Sequence, residues 1–286
     1  MPLSEELRLR RAEAADLPRI AELREAVGWS VHEWALRMVV ATREARCLVA
    51  VNGSDRIVGV GSGIAYGALG FVGNMIVDEA FRRRGIGGAI LQSVLDFLAE
   101  RGAVRSELYA TSEGRPLYQR YGFEPMGTSA MMSVPRFDAT ATGEVSLSQA
   151  GLEAIGELAA FDTPRFGGDR SPVLRWMADD PTRPLIVARR DGAMVGYGWV
   201  RPDAERIGPL VADSPEVAVA LIGDAFARLP AAESLSLNLP AGNRAGAERL
   251  IELGARMEPW DGRMGRGPSP SRRESTIYAS VVGALG

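Results

Sequence analysis

The chain has no lysine, one histidine and one cysteine. All 33 of its basic residues are arginine, the histidine is His32 and the cysteine is Cys47. A single cysteine makes no internal disulfide. Cys47 also lies in the apolar run Cys47-Leu48-Val49-Ala50-Val51, where a buried strand residue is expected rather than a nucleophile. One histidine and one cysteine form no ligand cluster, so no metal is expected, and neither is Ser-His-Asp or Cys-His machinery. No apolar run approaches the roughly 18 to 20 residues of a membrane helix, so no membrane partner is expected. The opening Met1-Pro2-Leu3-Ser4-Glu5-Glu6 is acidic and has no apolar secretory stretch, which sets a cytoplasmic expectation. A net charge of −3 and a pI near 5.5 lack the basic excess of a dedicated nucleic-acid binder.

What is present is a globular composition, 46% hydrophobic and 24% charged, on 286 residues. That length suits two domains of ordinary size. A strand is expected at 7–11. A helix follows with Asp16 as its cap and Leu17, Ile20, Leu23 and Val27 at helical spacing. After a second helix over 31–44 come strands at 47–51, 57–66 and 71–77, the first two joined by an Asn52-Gly53 hairpin turn. A glycine-containing loop then leads into a helix with Ile86, Ile90, Leu91, Val94, Leu95 and Leu98 on its apolar face, stopping near Arg101-Gly102. A strand at 104–110, a short helix at 114–121 and paired strands at 123–134 complete a mixed α/β domain.

An Ala/Thr-rich stretch reads as a linker, and the first pattern then returns in order. Leu185-Ile186-Val187-Ala188 parallels Leu48 to Val51, and Met194-Val195-Gly196 parallels Ile57-Val58-Gly59. Ile207-Gly208-Pro209-Leu210-Val211 parallels Gly73 to Val77. Leu253-Gly254-Ala255-Arg256-Met257-Glu258-Pro259 parallels Tyr121 to Pro125. Four anchors in one order indicate a tandem duplication, with domains at 1–136 and 145–286 and a linker at 137–144. The apolar stretch 277–285 is expected to dock as a short helix.

The loop Arg82-Arg83-Arg84-Gly85-Ile86-Gly87-Gly88 stands between a strand and a helix, an arrangement suited to phosphate. The first N–H groups of a helix have no internal partner, and the helix dipole favours an anion there. Glycine permits close backbone approach, and the arginines add positive charge. No Gly-Lys-Ser/Thr follows, which argues against a P-loop. The Gly-x-Gly-x-x-Gly spacing is absent, which argues against a dinucleotide fingerprint.

In these residues the chain resembles the GNAT acetyltransferase superfamily. Arg82-x-x-Gly85-x-Gly87 fits its Gln/Arg-x-x-Gly-x-Gly/Ala loop, Asn74 to Phe81 fits its fourth strand and exit, and Pro116 to Phe123 resembles its Tyr-x-x-x-Gly-Phe block. The second half resembles the degenerate copy of a tandem subgroup, at Phe166 to Arg170 and Gly208 to Ala212. The resemblance implies two tandem domains, each a mostly antiparallel mixed sheet flanked by helices. It implies transfer of an acetyl group from acetyl-CoA to a primary amine by direct attack in a ternary complex. The pyrophosphate of coenzyme A would rest on Arg82, Arg83, Arg84, Gly85, Ile86, Gly87 and Gly88. Its pantetheine arm would pair with Met75, Ile76 and Val77, where the sheet splays, and Thr111 would hold a cofactor amide. Tyr118 matches the family's general acid, while Tyr121 reads as a packing residue.

Departures from the family pattern leave questions open. The strand at 71–77 carries no glutamate to act as base; Glu107, Glu113 and His32 are the candidates elsewhere, beside a plain water path. In the second copy the loop position reads Ala212-Asp213-Ser214-Pro215-Glu216, with a helix cap, two acids and no glycine, and Leu250 stands where Tyr118 would be. One cofactor site per chain is expected. Tyr197, Trp199 and Arg201 alternate on a strand and are expected either to line an acceptor cleft between the domains or to pack. The missing lysine fits a GC-rich genome; it also leaves no lysine amine for an acyl donor to modify. The acceptor is a small-molecule or peptide amine, and a homodimer is compatible with the chain. A coenzyme A sensor or scaffold and an enzyme using a longer acyl-CoA remain as alternatives.

Overall fold

The computed structural model describes residues 7–137 and 145–286. They form two compact units. The first holds the described residues up to Pro125 together with Met264–Pro270 and Gly283–Gly286; the second holds Met126–Arg263 and Ser271–Val282.

In the first unit, strand β1 (Arg8–Arg11) leads to helices α1 (Leu17–Ala26) and α2 (Glu33–Ala41). The antiparallel strands β2 (Ala45–Val51), β3 (Ile57–Tyr66) and β4 (Leu69–Val77) follow. Helix α3 (Ile86–Glu100) crosses to β5 (Arg105–Tyr109), which runs parallel to β4, and α4 (Arg115–Arg120) leads to the short β6 (Glu124–Pro125). The apolar stripe expected from the sequence seats α3 on the sheet, with Ile90, Leu91 and Val94 fully buried. Glycine on β3 permits this close seat: a Cβ on Gly61 would stand 2.4 Å from Ile90 Cγ2 and 2.5 Å from Met75 Sδ. Helix α3 ends at Gly102 (φ +85°), with Ala103 N donating to Leu98 O and Gly102 N to Ala99 O, the Schellman pattern. Asp16 does not cap α1 through its side chain as expected. Its carboxylate instead accepts from Glu13 N and from both terminal nitrogens of Arg10.

The second unit repeats the plan. Strand β7 (Ser129–Pro135) precedes β8 (Ser146–Ala150), α5 (Ile155–Phe166), α6 (Ser171–Ala178), β9 (Leu185–Arg190), β10 (Ala193–Arg201) and β11 (Arg206–Ala212). Then come α7 (Pro215–Arg228), β12 (Ser234–Leu239), α8 (Arg244–Glu252), β13 (Arg256–Trp260) and β15 (Ile277–Ala279), and between the last two the chain passes through β14 (Arg263–Arg266), most of which lies in the first unit. The tandem mixed α/β architecture read from the sequence is the architecture observed.

Strand membership departs from the expected boundary at residue 136. The sheet orders are β1-β2-β3-β4-β5-β14-β6 and β13-β7-β12-β11-β10-β9-β8. Strand β7 therefore belongs to the second sheet, between β12 and β13, while β14 from the second half completes the first. Ala130, Met132 and Val134 alternate into the second core, and Met264 is buried in the first. Period-two alternation specifies a strand with one buried face but not the sheet that covers it. Of the expected linker only residue 137 falls among the described residues. The apolar end is not a helix: β15 is a strand, antiparallel to β11.

Candidate functional site

The first unit carries a cleft of about 780 Å³. Its walls come from the α1–α2 loop (Val27, Trp29), the end of β4, the loop before α3 and the segment from Thr111 to Arg120. Met75, Ile76, Val77, Arg82, Arg83, Gly85, Ile86, Gly87, Gly88 and Thr111 all line it, so ten of the expected site residues meet in one cavity.

Two features define its chemistry. Strands β4 and β5 pair only over Leu69–Phe71 and Arg105–Glu107, so the β4 edge beyond Phe71 is free of β5. On its other side β4 stays paired with β3, but the register steps from Ser62↔Gly73 to Val60↔Ile76, one extra residue on β4. That bulge contains Asn74 at φ +55°. Bulges re-aim backbone groups in this way. The second feature is the start of α3. Gly85 is its N-cap at φ +81°, and Arg83 is also left-handed at φ +61°. The helix's first amides have no partner inside the helix and border the cleft, where backbone dipoles favour an anion.

The arginines divide. Arg82 donates from Nε to Val77 O at 3.2 Å and approaches Glu113 Oε2 at 3.5 Å, which ties the loop to the end of β4. Arg84 does not line the cleft; it lies over the ring of Phe81, which does, and within 3.4 Å of Ala80 O. Thr111 Oγ1 accepts from Gly114 N at 3.1 Å, at the start of α4.

Tyr118 is not on the cleft wall, where its neighbour Leu117 stands. Its ring lies in the hydrophobic core, 6.0 Å from Phe123 and edge-on to it. Burial pushes the phenol above its ordinary pKa, so it holds its proton through the neutral range. Tyr121 does pack as expected, and its hydroxyl donates to Gly88 O at 2.9 Å.

Of the three base candidates, Glu113 lines the cleft. Glu107 is buried and accepts from Arg105 Nε at 3.2 Å, and His32 is the residue before α2. Cys47 is fully buried and its thiol is pushed up to about 12, the inert strand residue expected. The sequence did not single out Trp29 or Arg24. The Gly28-Trp29 pair that ends α1 was the available signal.

The second unit differs at both features. Ser214 Oγ accepts from Val217 N at 3.4 Å at the head of α7, and Asp213 is held by Arg165 Nε at 3.0 Å. The Glu216 carboxyl is held below its ordinary range by its own backbone amide and by Ser214. The splay is filled as well. Strands β11 and β12 pair only at Arg206↔Ser236, and β15 enters beyond that point, pairing Leu210↔Ala279 and Val211↔Ile277 while Ser280 N donates to Asn238 O. Leu250 is a buried residue of α8.

Tyr197, Trp199 and Arg201 are all buried inside the second unit, so the cleft reading gives way to packing. The Tyr197 hydroxyl donates to Asp162 at 2.7 Å, and Arg170 completes that buried pair. Trp199 Nε1 donates to Arg183 O at 2.8 Å. A central strand covered on both faces leaves no side open to a ligand.

A sheet splayed at its fourth strand, above a glycine-led helix start, is the arrangement of an acyltransferase fold. Residues 43–125 and 158–279 each match a family described as an acetyltransferase (GNAT) domain. The chain belongs to the GNAT acetyltransferases, with two such domains in tandem. It is 29% identical over 233 residues to the uncharacterized N-acetyltransferase YitH of Bacillus subtilis, covering 79% of this chain and 80% of that one. A putative acetyltransferase from Pyrococcus horikoshii shares the fold at TM-score 0.82 and 23% identity, over all of this chain and 98% of the other. A tandem GNAT protein from the clavulanic acid biosynthesis pathway aligns at TM-score 0.60 and 14% identity, over 92% of this chain and all of the other.

Proposed function

We propose that the first unit transfers an acetyl group from acetyl-CoA to a primary amine, by direct attack in a ternary complex, and that the second unit holds no cofactor. The observation that carries this reading is the cleft in which the free edge of β4 meets the unpartnered amides of α3.

Bound acetyl-CoA supplies a thioester activated for attack by an amine. The residues present fit such a group. The α3 amides from Gly85 to Gly88, with Arg82 and Arg83 beside them, would hold its pyrophosphate. The β4 edge at Met75 to Val77 would offer backbone groups to an extended amide-bearing arm, and a bulge amide would supply the donor that polarises the thioester carbonyl. Thr111 would offer its hydroxyl from the cleft wall, its carbonyl being taken by Gly114 N and Arg115 N. Tyr118 is the proposed acid: it keeps its proton through the neutral range, and its hydroxyl would have to come to the cleft that Leu117 lines in order to donate to a departing thiolate. Glu113 and water share the route for the amine's proton.

A second reading has one observation in its favour. Tyr118 is buried in the core rather than lining the cleft, as suits a coenzyme A sensor or scaffold that needs no acid. A screen of amines against acetyl-, propionyl- and succinyl-CoA, read by thiol release, separates the cases. Fastest release with acetyl-CoA and an amine supports the first reading. Preference for a longer chain revises the donor. Coenzyme A binding without any release supports the sensor.

A further inference from the structure

Arg24 lies in the last turn of α1, with 9% of its surface exposed. Helix α1 ends in a Schellman motif, with Trp29 N donating to Arg24 O and Gly28 N to Glu25 O around a left-handed Gly28 (φ +73°). This reversal brings the loop back over the side chain of its own helix. Arg24 Nε and Nη2 donate to Ser30 O at 3.1 and 2.7 Å, Nη1 donates to Asn74 Oδ1, and the Trp29 ring centre is 5.5 Å from the guanidinium carbon.

These acceptors are all neutral. Burial lowers the pKa of the guanidinium, and among the described residues no carboxylate pairs with it to offset the loss of water. A buried cation without a counter-charge is a costly way to hold a loop, which a neutral side chain could do instead. The planar fork, however, reaches two places at once. One is the carbonyl next to Trp29, on the cleft wall. The other is Asn74, at φ +55° in the β4 bulge that it forms with Met75, whose Nδ2 also donates to Ser62 Oγ at 2.9 Å. A left-handed non-glycine residue persists when its surroundings fix it, and Arg24 and Ser62 fix this one from both ends of its amide.

We propose that Arg24 is a positioning residue that clamps the loop carrying the cleft-wall residue Trp29 to the Asn74 bulge, setting the direction of the backbone groups from Asn74 to Met75. The proposal rests on the acyl-transfer reading for its consequence, but the clamp itself is testable without turnover. Two substitutions dissect it. Arg24→Met keeps the apolar stem and removes the fork. Arg24→Lys keeps the charge, but one ammonium cannot reproduce the bidentate grip on Ser30 O together with the bond to Asn74.

Hydrogen exchange is measured on segments 27–34, 69–77 and 86–98 of the full chain. In Arg24→Met the first two segments should exchange about tenfold faster while α3 is unchanged. With acetyl-CoA and an amine found by the screen, both variants should lose roughly ten- to a hundredfold in kcat, with little change in coenzyme A affinity. Arg24→Met/Asn74→Gly should recover part of that loss, since glycine takes the left-handed bulge without help. Wild-type exchange at 69–77 in Arg24→Met overturns the clamp, and equal acceleration in all three segments reduces it to a general fold contact. Full kcat in Arg24→Lys would mean that the charge, not the fork, matters, and would also overturn it. A wild-type protein without turnover refutes the acyl-transfer reading and leaves the exchange result to decide the clamp.

Discussion

Asn243 donates from Nδ2 to the carbonyl of Ile277 at 3.0 Å, while its Oδ1 accepts from Gly246 N at 2.8 Å. One buried amide thus caps α8 and holds β15 in the gap beside β11. The corresponding gap beside β4 is open to the cleft. In the second unit the chain fills with its own strand the place where a cofactor arm would pair, and Ser214, Asp213 and Glu216 surround the helix start. Calorimetric titration with coenzyme A should therefore give one site per chain, and two equivalent sites would sink this reading. Asn243→Ala should lower stability by about 2 kcal/mol, from a lost cap and a lost buried hydrogen bond, without altering coenzyme A affinity.

Gly85 is the most direct test of the phosphate cradle. A Cβ there meets nothing within 4 Å, so space is not the constraint; φ +81° is. Left-handed backbone costs an L residue about 1–2 kcal/mol, which an Ala variant can escape by relaxing the loop. Gly85→Ala should weaken coenzyme A binding about tenfold while the melting temperature moves little. Arg84→Ala, at a residue that does not line the cleft, should leave binding closer to wild type than Arg82→Ala does. Equal binding by Gly85→Ala and wild type would falsify the cradle.

For Tyr118, the prediction separates chemistry from binding. Tyr118→Phe keeps the ring against Phe123 and removes only the hydroxyl. If the phenol protonates the departing thiolate, kcat should fall about a hundredfold with coenzyme A affinity unchanged. Unaltered kcat would leave Tyr118 as a core residue and pass the role of acid to water.

Acid should loosen the first unit through Asp16. Hydrogen bonds from Arg10 hold its carboxyl below the ordinary aspartate value, against an opposing effect of burial. A carboxyl depressed in the folded state binds fewer protons there than in the unfolded chain. Its contribution is complete above the unfolded pKa near 3.9, about the usual aspartate value, and is lost as pH falls through the folded one. Asp16→Asn should lower stability at neutral pH and flatten the acid limb of a plot of melting temperature against pH. An acid limb identical to wild type would remove Asp16 from the account.

Much of the site was legible because it is local. A strand, three arginines, a left-handed glycine and an amphipathic helix are consecutive, and Arg82 to Gly88 line the cleft apart from Arg84. The Gly102 stop and the Ser214 cap are local as well, and both stand where sequence chemistry puts them. Tyr197, Trp199 and Arg201 were less readable. Alternation gives them one face of a strand, but whether that face meets solvent or a covering helix depends on segments far along the chain. Arg24 gave no signal, since its partner Asn74 is fifty residues away.

The sequence by itself determined two copies of one α/β plan, a glycine-led helix start in the first copy and a self-capped one in the second. Short-range rules of periodicity, capping and left-handed glycine act within a few residues and fix such features. Only the tertiary structure decided which sheet receives β7 and β14, that β15 fills the second splay, and that Arg24 grips the β4 bulge. Strand pairing and burial are settled by whichever distant surface completes the hydrogen bonds and covers the apolar face, and no local pattern names that surface.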